Sequence, residues 1–501
     1  MITTEQHALN SDNHWIDRRR SAVLLHVTSL PGSFHKGVIG AEARQLIDTI
    51  RASGFSVWQF LPLGPTHDHG SPYEALSTFA GNPELVDLRD CVTRGWLDAA
   101  ALSDAMDATA HQHCRQLAAQ QFWQQIDHDH ALQQQLAAFE AEQRDWLDDF
   151  ALFAALKQMH NNAAWWQWPT ELREREPAAL ESVRQTHPDA IRQIVFEQFL
   201  FDQQWRALKT YANAQGVLLF GDLPIYVAHD SADVWSHRDY FTVNAKGLCD
   251  EVAGVPPDYF SQTGQRWGNP LYRWEVMQAD QFRWWVARVR RQMMWMDMLR
   301  IDHFRALEAF WVIPGDRDDG IIGEWRKAPG AALLTALQQA LGRLPLIAED
   351  LGIITEEVTA LRTAFHLPGM KILQFAFGGD ADNPYLPENF GADAVVYTGT
   401  HDNDTTLGWF QSADAATRDH LLAYLRADPE TMPWPLIECA LASAALLAVI
   451  PMQDLLALGS EAKFNTPGTL DGNWSWRLDD LPTEHPCWPR ARALNTRHQR
   501  M

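Results

Sequence analysis

The stretch Leu218-Leu219-Phe220-Gly221-Asp222-Leu223-Pro224 shows the pattern on which the fold of this chain is predicted. Its short apolar run predicts a buried β-strand, and the Gly-Asp-Leu-Pro cluster that follows is typical of a turn. Similar apolar runs recur along the chain, and helical patterns fill most of the gaps between them. Eight units of alternating strand and helix predict an α/β fold, a (β/α)8 TIM-type barrel. The eight runs are Val23–Val27, Val57–Leu61, Val217–Phe220, Met296–Ile301, Leu344–Ala348, Lys371–Phe375, Ala394–Thr398 and Leu446–Pro451.

One gap within the predicted barrel, which spans residues 18–501, is too long for a simple crossover. Residues 88–216 are rich in Ala, Gln, Glu and Leu. Within them Trp146, Phe150 and Phe153 follow a helical spacing. The sequence therefore predicts a helical subdomain inserted in the barrel.

A second long gap, residues 223–295, predicts another inserted region. Its stretch GVPPDYFSQTGQRWGNPLY (254–272) carries several Pro and Gly residues and reads as a loop. Long ordered loops of this kind are often functional. We therefore expect residues 254–272 to contribute to the site.

The charge of the chain argues against some classes of partner. With 64 acidic and 41 basic residues the formal net charge is −23, so the surface repels phosphate backbones and nucleic acid is not expected to bind. No run of about 18 apolar residues predicts a membrane span, and the first residues lack the apolar core of a signal peptide. Nothing in the sequence indicates an oligomeric interface.

The five cysteines indicate the compartment. They are scattered, odd in number and without a CxxC pair. This distribution argues against a disulfide framework and against a cysteine-based zinc site. We therefore expect a soluble cytoplasmic protein.

Four predicted strands are followed by a carboxylate at or near their C-terminal end. The four residues are Asp222, Asp302, Glu349 and Asp402. A single Asp after a strand usually caps a helix or stabilises a turn. Four such residues at one barrel mouth favour catalysis, because the C-terminal face of a barrel carries the active site.

Acids in this arrangement suit the cleavage of glycosidic bonds. One carboxylic acid protonates the leaving oxygen, and in retaining enzymes a second carboxylate attacks the anomeric carbon. Arg300 lies two residues before Asp302 and should point to the same side of a strand, where its cation would keep Asp302 ionised. The spacing alone leaves open which acid plays which role.

Other chemistry finds less support in the sequence. No GxxxxGK[ST], no GxGxxG after a strand and no HExxH occurs. The cluster His67-Asp68-His69 is interpreted as a polar loop, since three consecutive residues do not easily face one ion. We therefore expect neither a metal ion nor an organic cofactor.

Longer motifs around the acids resemble one enzyme family. From about Ser21 to Leu478 the chain resembles the 4-α-glucanotransferases of the amylomaltase (disproportionating enzyme) type, distant relatives of the α-amylases. The resemblance implies transfer of α-1,4-glucan segments between maltooligosaccharides, by a retaining double displacement through a covalent glucosyl-enzyme. The motifs are LPLGPT (61–66), SPYEALSTFAGNP (71–83), GDLPIYVAHDSADVW (221–235), GVPPDYFSQTGQRWGNPLY (254–272), RIDHF (300–304), AEDLG (348–352), YTGTHDNDTT (397–406) and FNTPGT (464–469).

The resemblance also implies roles for individual residues. Asp302 corresponds to the nucleophile, Glu349 to the general acid/base, and Asp402 to a third acid that grips hydroxyls of the distorted sugar. Other positions correspond to substrate-binding residues around that sugar and in a lid loop over the acceptor side. They are Tyr73, Asp222, Arg300, His401, Asn465 and, in the lid, Tyr259, Phe260 and Trp267.

The chain departs from the family before the SPY motif. There the family commonly has Gly-Tyr-Gly-Asp, and this chain has His67-Asp68-His69-Gly70. The missing aromatic residue puts an accessory glucan contact in doubt and leaves the chemistry untouched.

Two functions are alternatives to glucan transfer. An α-glucan hydrolase would use the same carboxylates, with water as the acceptor. A non-catalytic glucan-binding protein is disfavoured, because Asp302 and Glu349 are both present.

Overall fold

The computed structural model describes residues 16–103, 106–257, 261–469 and 471–501. Its strands are β1 (Arg20–Leu24), β2 (Val57–Gln59), β3 (Leu218–Leu223), β4 (Glu251–Val255), β5 (Gln265–Arg266), β6 (Met298–Ile301), β7 (Ala309–Pro314), β8 (Glu324–Lys327), β9 (Leu346–Ala348), β10 (Gly369–Ile372), β11 (Ala394–Tyr397) and β12 (Leu447–Pro451).

Its α-helices are α1 (Ala41–Ala52), α2 (Leu88–Thr93), α3 (Ala108–Ile126), α4 (His130–Gln143), α5 (Leu147–Met159), α6 (Thr170–Arg173), α7 (Pro177–Thr186), α8 (Pro188–Ala214), α9 (Ala232–Ser236), α10 (Trp274–Ala279), α11 (Arg283–Trp295), α12 (Gly330–Leu341), α13 (Glu356–Ala364), α14 (Thr406–Ser412), α15 (Ala415–Leu425), α16 (Trp434–Ala442), α17 (Met452–Leu455) and α18 (Cys487–Arg497).

Eight strands close into a parallel barrel, in the order β1, β2, β3, β6, β9, β10, β11 and β12, with β12 pairing back to β1. Each of the eight predicted runs contributes one barrel strand, which confirms the (β/α)8 fold class. Several boundaries differ from the prediction. β3 runs on to Leu223, so Gly221 and Asp222, expected in a turn after the strand, lie within it. β1 already begins at Arg20, and β10 ends at Ile372, where a 3-10 turn over Leu373–Phe375 takes over.

Alternate residues of the barrel strands fill its interior. The side chains of Phe220, Met298 and Ile347 are fully buried in one apolar cluster inside the barrel. Because strand residues two apart point to the same side, Asp222, Arg300 and Glu349 form the next layer towards the C-terminal mouth. The apolar interior of the barrel thus lies directly below the polar layer at its C-terminal mouth.

Seven helices, α2 to α8, lie between residues 88 and 214. The last of them, α8, also packs on the barrel. Its Trp205 ring lies 5.1 Å from the ring of Phe60, and its indole N–H donates to the carbonyl of Trp295 at 2.9 Å. Since α8 serves both the insertion and the helical layer around the barrel, the division at residues 88–216 stays a prediction.

The second inserted region contributes β4 and β5 to a small antiparallel sheet in the order β5, β4, β7, β8, whose other two strands come after β6. β4, which begins before the predicted loop 254–272, and β5, which lies within it, are the two arms of a hairpin, and β4 pairs with β7 along most of its length. Tyr259 and Phe260, which come between β4 and β5 in the sequence, lie outside the described residues. The predicted lid is therefore anchored on a sheet rather than being loop throughout.

Some features bear on the chemical context. All five cysteines are free thiols. Within the described ranges no helix is long and apolar enough to cross a membrane. The same ranges contain no group of three or more His, Cys, Asp or Glu side chains that could hold a metal ion. In the segment His67-Asp68-His69 the two imidazole rings stack, with centroids 5.8 Å apart.

Candidate active site

Arg300 is the centre of the polar layer. Its Nη1 donates to Asp222 Oδ2 at 2.6 Å, and its Nη2 lies 2.8 Å from Asp302 Oδ1. Its Nε points to Met370 Sδ at 3.4 Å, inside the barrel. Burial disfavours the charge, but the two carboxylates outweigh it and raise the pKa of Arg300. The guanidinium therefore stays cationic in the cleft.

Asp222 holds two other residues of the site in place. Its Oδ2 accepts hydrogen bonds from Arg300 and from the Tyr73 hydroxyl, the latter at 2.8 Å. The resemblance places Asp222 around the sugar, but it is only 1% exposed. It is therefore buried beneath the cleft surface, where it contacts Arg300 and Tyr73.

Tyr73 and His401 form a stacked pair beside Asp222. Their ring centroids are 5.3 Å apart, and the Tyr73 hydroxyl lies 2.8 Å from His401 Nε2. Burial, together with the charge on Asp222, raises the pKa of Tyr73 well above its usual range. Burial lowers the pKa of His401. Both rings therefore present neutral hydrogen-bonding groups.

Asp302 follows β6 directly and contacts Arg300 as expected. The cation favours the ionised carboxyl, as the sequence predicts, but burial opposes it. Burial, together with the charges on Asp222 and Glu349, raises the pKa of Asp302 despite Arg300. Arg300 opposes this rise while it contacts both Asp302 and Asp222.

Glu349 follows β9 and is held by backbone groups. Its Oε2 accepts the His303 N–H at 2.6 Å, and its Oε1 accepts the Leu351 N–H at 2.9 Å. His303 provides its N–H from a left-handed conformation, φ 51° and ψ 49°. Burial raises the pKa of Glu349, against the opposing effects of Arg300 and these N–H groups. A raised pKa is what a general acid requires.

Asp402 and His401 come from the loop after β11. Asp402 Oδ1 accepts a hydrogen bond from Asn465 Nδ2 at 2.6 Å, and its Oδ2 lies 3.3 Å from His401 Nε2. Of its side chain 43% is exposed, against 29% for Asp302. Asp402 is therefore the more open of these two acids.

Trp267 brings the lid hairpin to the site. Its ring lies 4.8 Å from that of His303 and nearly perpendicular to it, at 86°. Its backbone N–H donates to the carbonyl of Ala253 at 3.0 Å, which ties it to β4. Because His303 directly follows Asp302, the hairpin places an aromatic wall beside the end of β6.

Trp474 is a site residue that the sequence analysis missed. Its ring lies 5.9 Å from Tyr73, 6.2 Å from His401 and 5.6 Å from Phe464. It extends the Tyr73–His401 stack towards the surface. Trp474 comes shortly after the FNTPGT motif, and the sequence around it carries no periodic signal that would have indicated this position.

Asp454 was also missed. Its Oδ2 accepts the hydroxyls of Thr398 and Thr406 at 2.5 and 2.6 Å, and its Oδ1 accepts the Thr406 N–H at 2.7 Å. It thus joins the two ends of the loop that carries His401 and Asp402. Asp454 comes just after the eighth predicted strand, so the pattern that indicated the other acids could have found it.

A closed barrel whose mouth gathers three acids around a buried arginine is typical of enzymes that act on glycosidic bonds. The family model described as 4-alpha-glucanotransferase matches residues 25–482, most of the chain. The chain belongs to the 4-α-glucanotransferase family.

Individual relatives agree with this assignment. The 4-alpha-glucanotransferase of Thermus thermophilus is 44% identical over 493 residues, which cover 95% of this chain and 99% of that protein. The one of Synechocystis sp. is 46% identical over 475 residues, 92% of this chain and 94% of the relative. The structure of amylomaltase from Streptococcus agalactiae in complex with acarbose superposes with a TM-score of 0.90 at 32% identity, covering 96% of this chain and 100% of that one. The family resemblance inferred from the motifs is confirmed.

Proposed function

We propose that this enzyme transfers α-1,4-glucan segments between maltooligosaccharides through a covalent glucosyl-enzyme. The observation that carries the proposal is the unequal environment of two acids on neighbouring strands. Asp302 touches the Arg300 guanidinium at 2.8 Å, whereas Glu349 accepts hydrogen bonds from two neutral backbone N–H groups. A full positive charge in direct contact stabilises the ionised form more than neutral N–H donors do, which supports Asp302 as the nucleophile and Glu349 as the acid.

The first step cleaves the donor glucan. A carboxylate oxygen of Asp302 forms a bond to the anomeric carbon as the bond from that carbon to the glycosidic oxygen breaks. The departing oxygen takes the electron pair of the broken bond and receives the proton of Glu349. The products are a glucosyl ester on Asp302, a shortened glucan and an ionised Glu349.

The second step transfers the glucosyl group. The 4-hydroxyl of another glucan attacks the anomeric carbon, the ester bond to Asp302 breaks, and Glu349 takes the hydroxyl proton. Two displacements at one carbon restore the α configuration. Both carboxyl groups return to their starting protonation states.

The two acids must share one proton for this cycle to begin. Burial raises the pKa of both carboxyl groups, so together they retain a proton to a higher pH than exposed carboxyls would. As the pair titrates jointly, the proton resides on the member whose negative charge is less stabilised. Direct contact with Arg300 favours the charge on Asp302 and leaves the proton on Glu349.

Other residues of the mouth support a role in holding the sugar. Asp402 offers an exposed carboxylate fixed by Asn465, and Tyr73 and His401 offer neutral polar groups beside it. Hydrogen bonds from such groups to sugar hydroxyls strengthen when the ring distorts towards the transition state. We propose Asp402, His401 and Tyr73 as the groups that grip the distorted ring.

A hydrolase with the same acids is the second candidate, and the reaction products distinguish the two. Incubated with maltotriose, a transferase gives glucose together with oligomers longer than maltotriose. A hydrolase gives only glucose and maltose. The Asp302→Ala variant, as control, should give neither, and a wild-type product mixture without longer oligomers would refute the proposal.

We also propose that the enzyme works in the cytoplasm on glucans derived from glycogen or starch. The free thiols fit a reducing compartment. Cell fractionation followed by the maltotriose assay on each fraction tests the location, and activity confined to a membrane or secreted fraction would contradict it.

A further inference from the structure

Exposed apolar side chains gather on one side of the small sheet. Among the described residues, nine large hydrophobic side chains are markedly exposed, and four of them belong to two neighbouring segments. They are Ile321, Ile322, Trp325 and Ile353, with exposed fractions of 51%, 50%, 40% and 46%. We call these four residues the Trp325 patch. Contiguous apolar surface of this kind commonly marks a binding site.

The indole of Trp325 is firmly held within the patch. The guanidinium of Arg305 lies over its ring at 3.8 Å, and the ring of Trp311 meets it at 5.2 Å. Arg305 Nη1 also donates to the carbonyl of Ile353 at 2.7 Å, which joins the two segments of the patch. Because the ring is already fixed, a ligand that stacks on it would cost little side-chain conformational entropy.

The patch continues directly from the catalytic mouth. Arg305 follows Asp302 by three residues and Ile353 follows Glu349 by four, so the chain spans at most about 11 and 15 Å between them. The patch therefore lies at the rim of the mouth, beside the strands that carry Asp302 and Glu349.

The patch is also bonded to the lid hairpin. The Gly320 N–H donates to the carbonyl of Thr263 at 2.9 Å, and the Trp311 indole donates to the carbonyl of Gly320 at 3.0 Å. Ile321 and Ile322 follow directly in the chain. Catalytic strands, lid and patch thus form one continuous surface.

We propose that the Trp325 patch binds the distal part of a long α-1,4-glucan chain whose reacting end lies between Asp302 and Glu349. The inference rests on the proposed function and extends the substrate to chains longer than the cleft. Glucose rings have apolar C–H faces that pack on an indole and on aliphatic side chains. The net charge of −23 disfavours an anionic partner and leaves a neutral polymer as the better match.

Polar side chains at the edge of the patch fit the same ligand. Arg326 bonds both oxygens of Glu251 at 2.6 Å and also Glu324 at 2.6 Å. These side chains are partly exposed and present fixed donors and acceptors next to Trp325. Sugar hydroxyls can bond to such groups while the ring faces stack.

The test compares a short and a long substrate in the full-length enzyme. For Trp325→Ala we expect the KM for amylose to rise about threefold to tenfold, the usual worth of one aromatic stacking contact. The KM for maltotriose and both kcat values should stay at the wild-type level, because the reacting atoms are untouched. Trp325→Phe keeps a ring and should retain most of the affinity for amylose.

Val276→Ala is the matched control, since Val276 is also 40% exposed but lies on α10. It should change neither KM. An unchanged amylose KM in a folded Trp325→Ala enzyme, or an equal rise for both substrates, would overturn the proposal. So would a wild-type dimer that Trp325→Ala converts to a monomer in sedimentation velocity, since the patch would then bind a second copy. If wild-type enzyme failed to elongate maltotriose, the proposed function itself would fail, which is a separate outcome.

Discussion

Arg300 touches Asp302 directly while it also binds Asp222, and its charge opposes the effect of burial on the acids of the mouth. Burial raises the pKa of both Asp302 and Glu349, and the cation lowers both without cancelling the rise. The acids thus remain able to hold one proton between them where exposed carboxyls would hold none.

The Arg300→Gln variant should move the acid limb of the pH profile. The cation lowers the pKa of Asp302 and of Glu349, so removing it raises both. The nucleophile must lose its proton for activity, hence the acid limb of kcat/KM should shift to higher pH. Arg300→Lys keeps a charge and should shift it less. Profiles measured with maltotriose check this, and a limb that stays in place or moves to lower pH would contradict it.

The roles of the two acids can be separated with azide. In Glu349→Ala, supplied with α-maltosyl fluoride, the leaving group needs no proton, and azide can attack the ester on Asp302 without a base. We expect an α-configured glycosyl azide, because two displacements retain configuration. Asp302→Ala with azide should give only the β-configured product of one displacement. NMR determines the anomeric configuration of the products. An α-azide from Asp302→Ala would reverse the assignment of nucleophile and acid.

The carboxyl groups of Asp302 and Glu349 should also show the spacing of a retaining pair. Retaining enzymes hold the two groups roughly 5–5.5 Å apart, whereas inverting ones need about 6.5–9.5 Å for a water molecule. A crystal structure with a bound oligosaccharide measures the distance. The longer spacing would speak against a covalent intermediate.

Among the elements, the loop between β11 and α14 depends on a single side chain. Asp454 is 1% exposed and bonds Thr398 at the start of the loop and Thr406 at its end. Those hydrogen bonds fix the position of the loop that carries His401 and Asp402 at the barrel mouth. Asp454 is therefore a positioning residue.

Asp454→Ala should lower kcat more than it changes KM. A displacement of about 1 Å in a group that orients the sugar can cost on the order of 10²-fold in rate. Asp454→Asn keeps the shape and one acceptor and should recover part of the loss. Asp414→Ala, which removes an exposed N-cap of α15, serves as control and should leave kcat unchanged. Equal losses in Asp454→Ala and the control would mean that Asp454 has no positioning role.

The lid hairpin should control the partition between transfer and hydrolysis. Trp267 packs on His303 beside the end of β6, where it can exclude water and present a face to the acceptor. In Trp267→Ala, and in the double variant Tyr259→Ala with Phe260→Ala, we expect attack by the acceptor to suffer more than attack by water. The ratio of hydrolysis to transfer on maltotriose should rise in a folded protein. An unchanged ratio would place the selectivity elsewhere in the cleft.

The strands differ in how far the sequence predicts them. The barrel strands could be located because each is an apolar run buried on both sides, as in β12, Leu447–Pro451. β8 could not, because Glu324–Lys327 is charged and mostly exposed and its conformation depends on pairing with β7. The acids were found because they lie at or just after the ends of strands. Trp474 was not, because its place depends on rings that come from distant parts of the chain.

At the scale of the whole molecule, the seam between β1 and β12 is closed by Arg500. Its Nε donates to the carbonyl of Leu441 at 2.6 Å, Nη1 to that of Arg20 at 2.8 Å and Nη2 to that of Ser443 at 2.9 Å. The residue is fully buried. One side chain thus joins the start of β1 to the chain before β12.

Arg500→Ala should destabilise the protein by roughly 3 to 5 kcal/mol, because it removes three hydrogen bonds from a buried charged group. Arg497→Ala provides the comparison. Its ion pair with Glu438 is largely exposed, and such pairs contribute about 0 to 1 kcal/mol. Urea unfolding followed by tryptophan fluorescence measures both, and equal midpoints would show that Arg500 does not hold the seam.

The active site draws its parts from segments as far apart in the chain as Tyr73 and Trp474. Contacts of such sequence separation form late when a chain refolds, since closing long loops costs entropy before the contacts compensate for it. The helices between residues 108 and 214 depend on local contacts and can form early. In a refolding experiment turnover should therefore return after the helical circular dichroism signal, and the delay between the two would time the closure of the barrel.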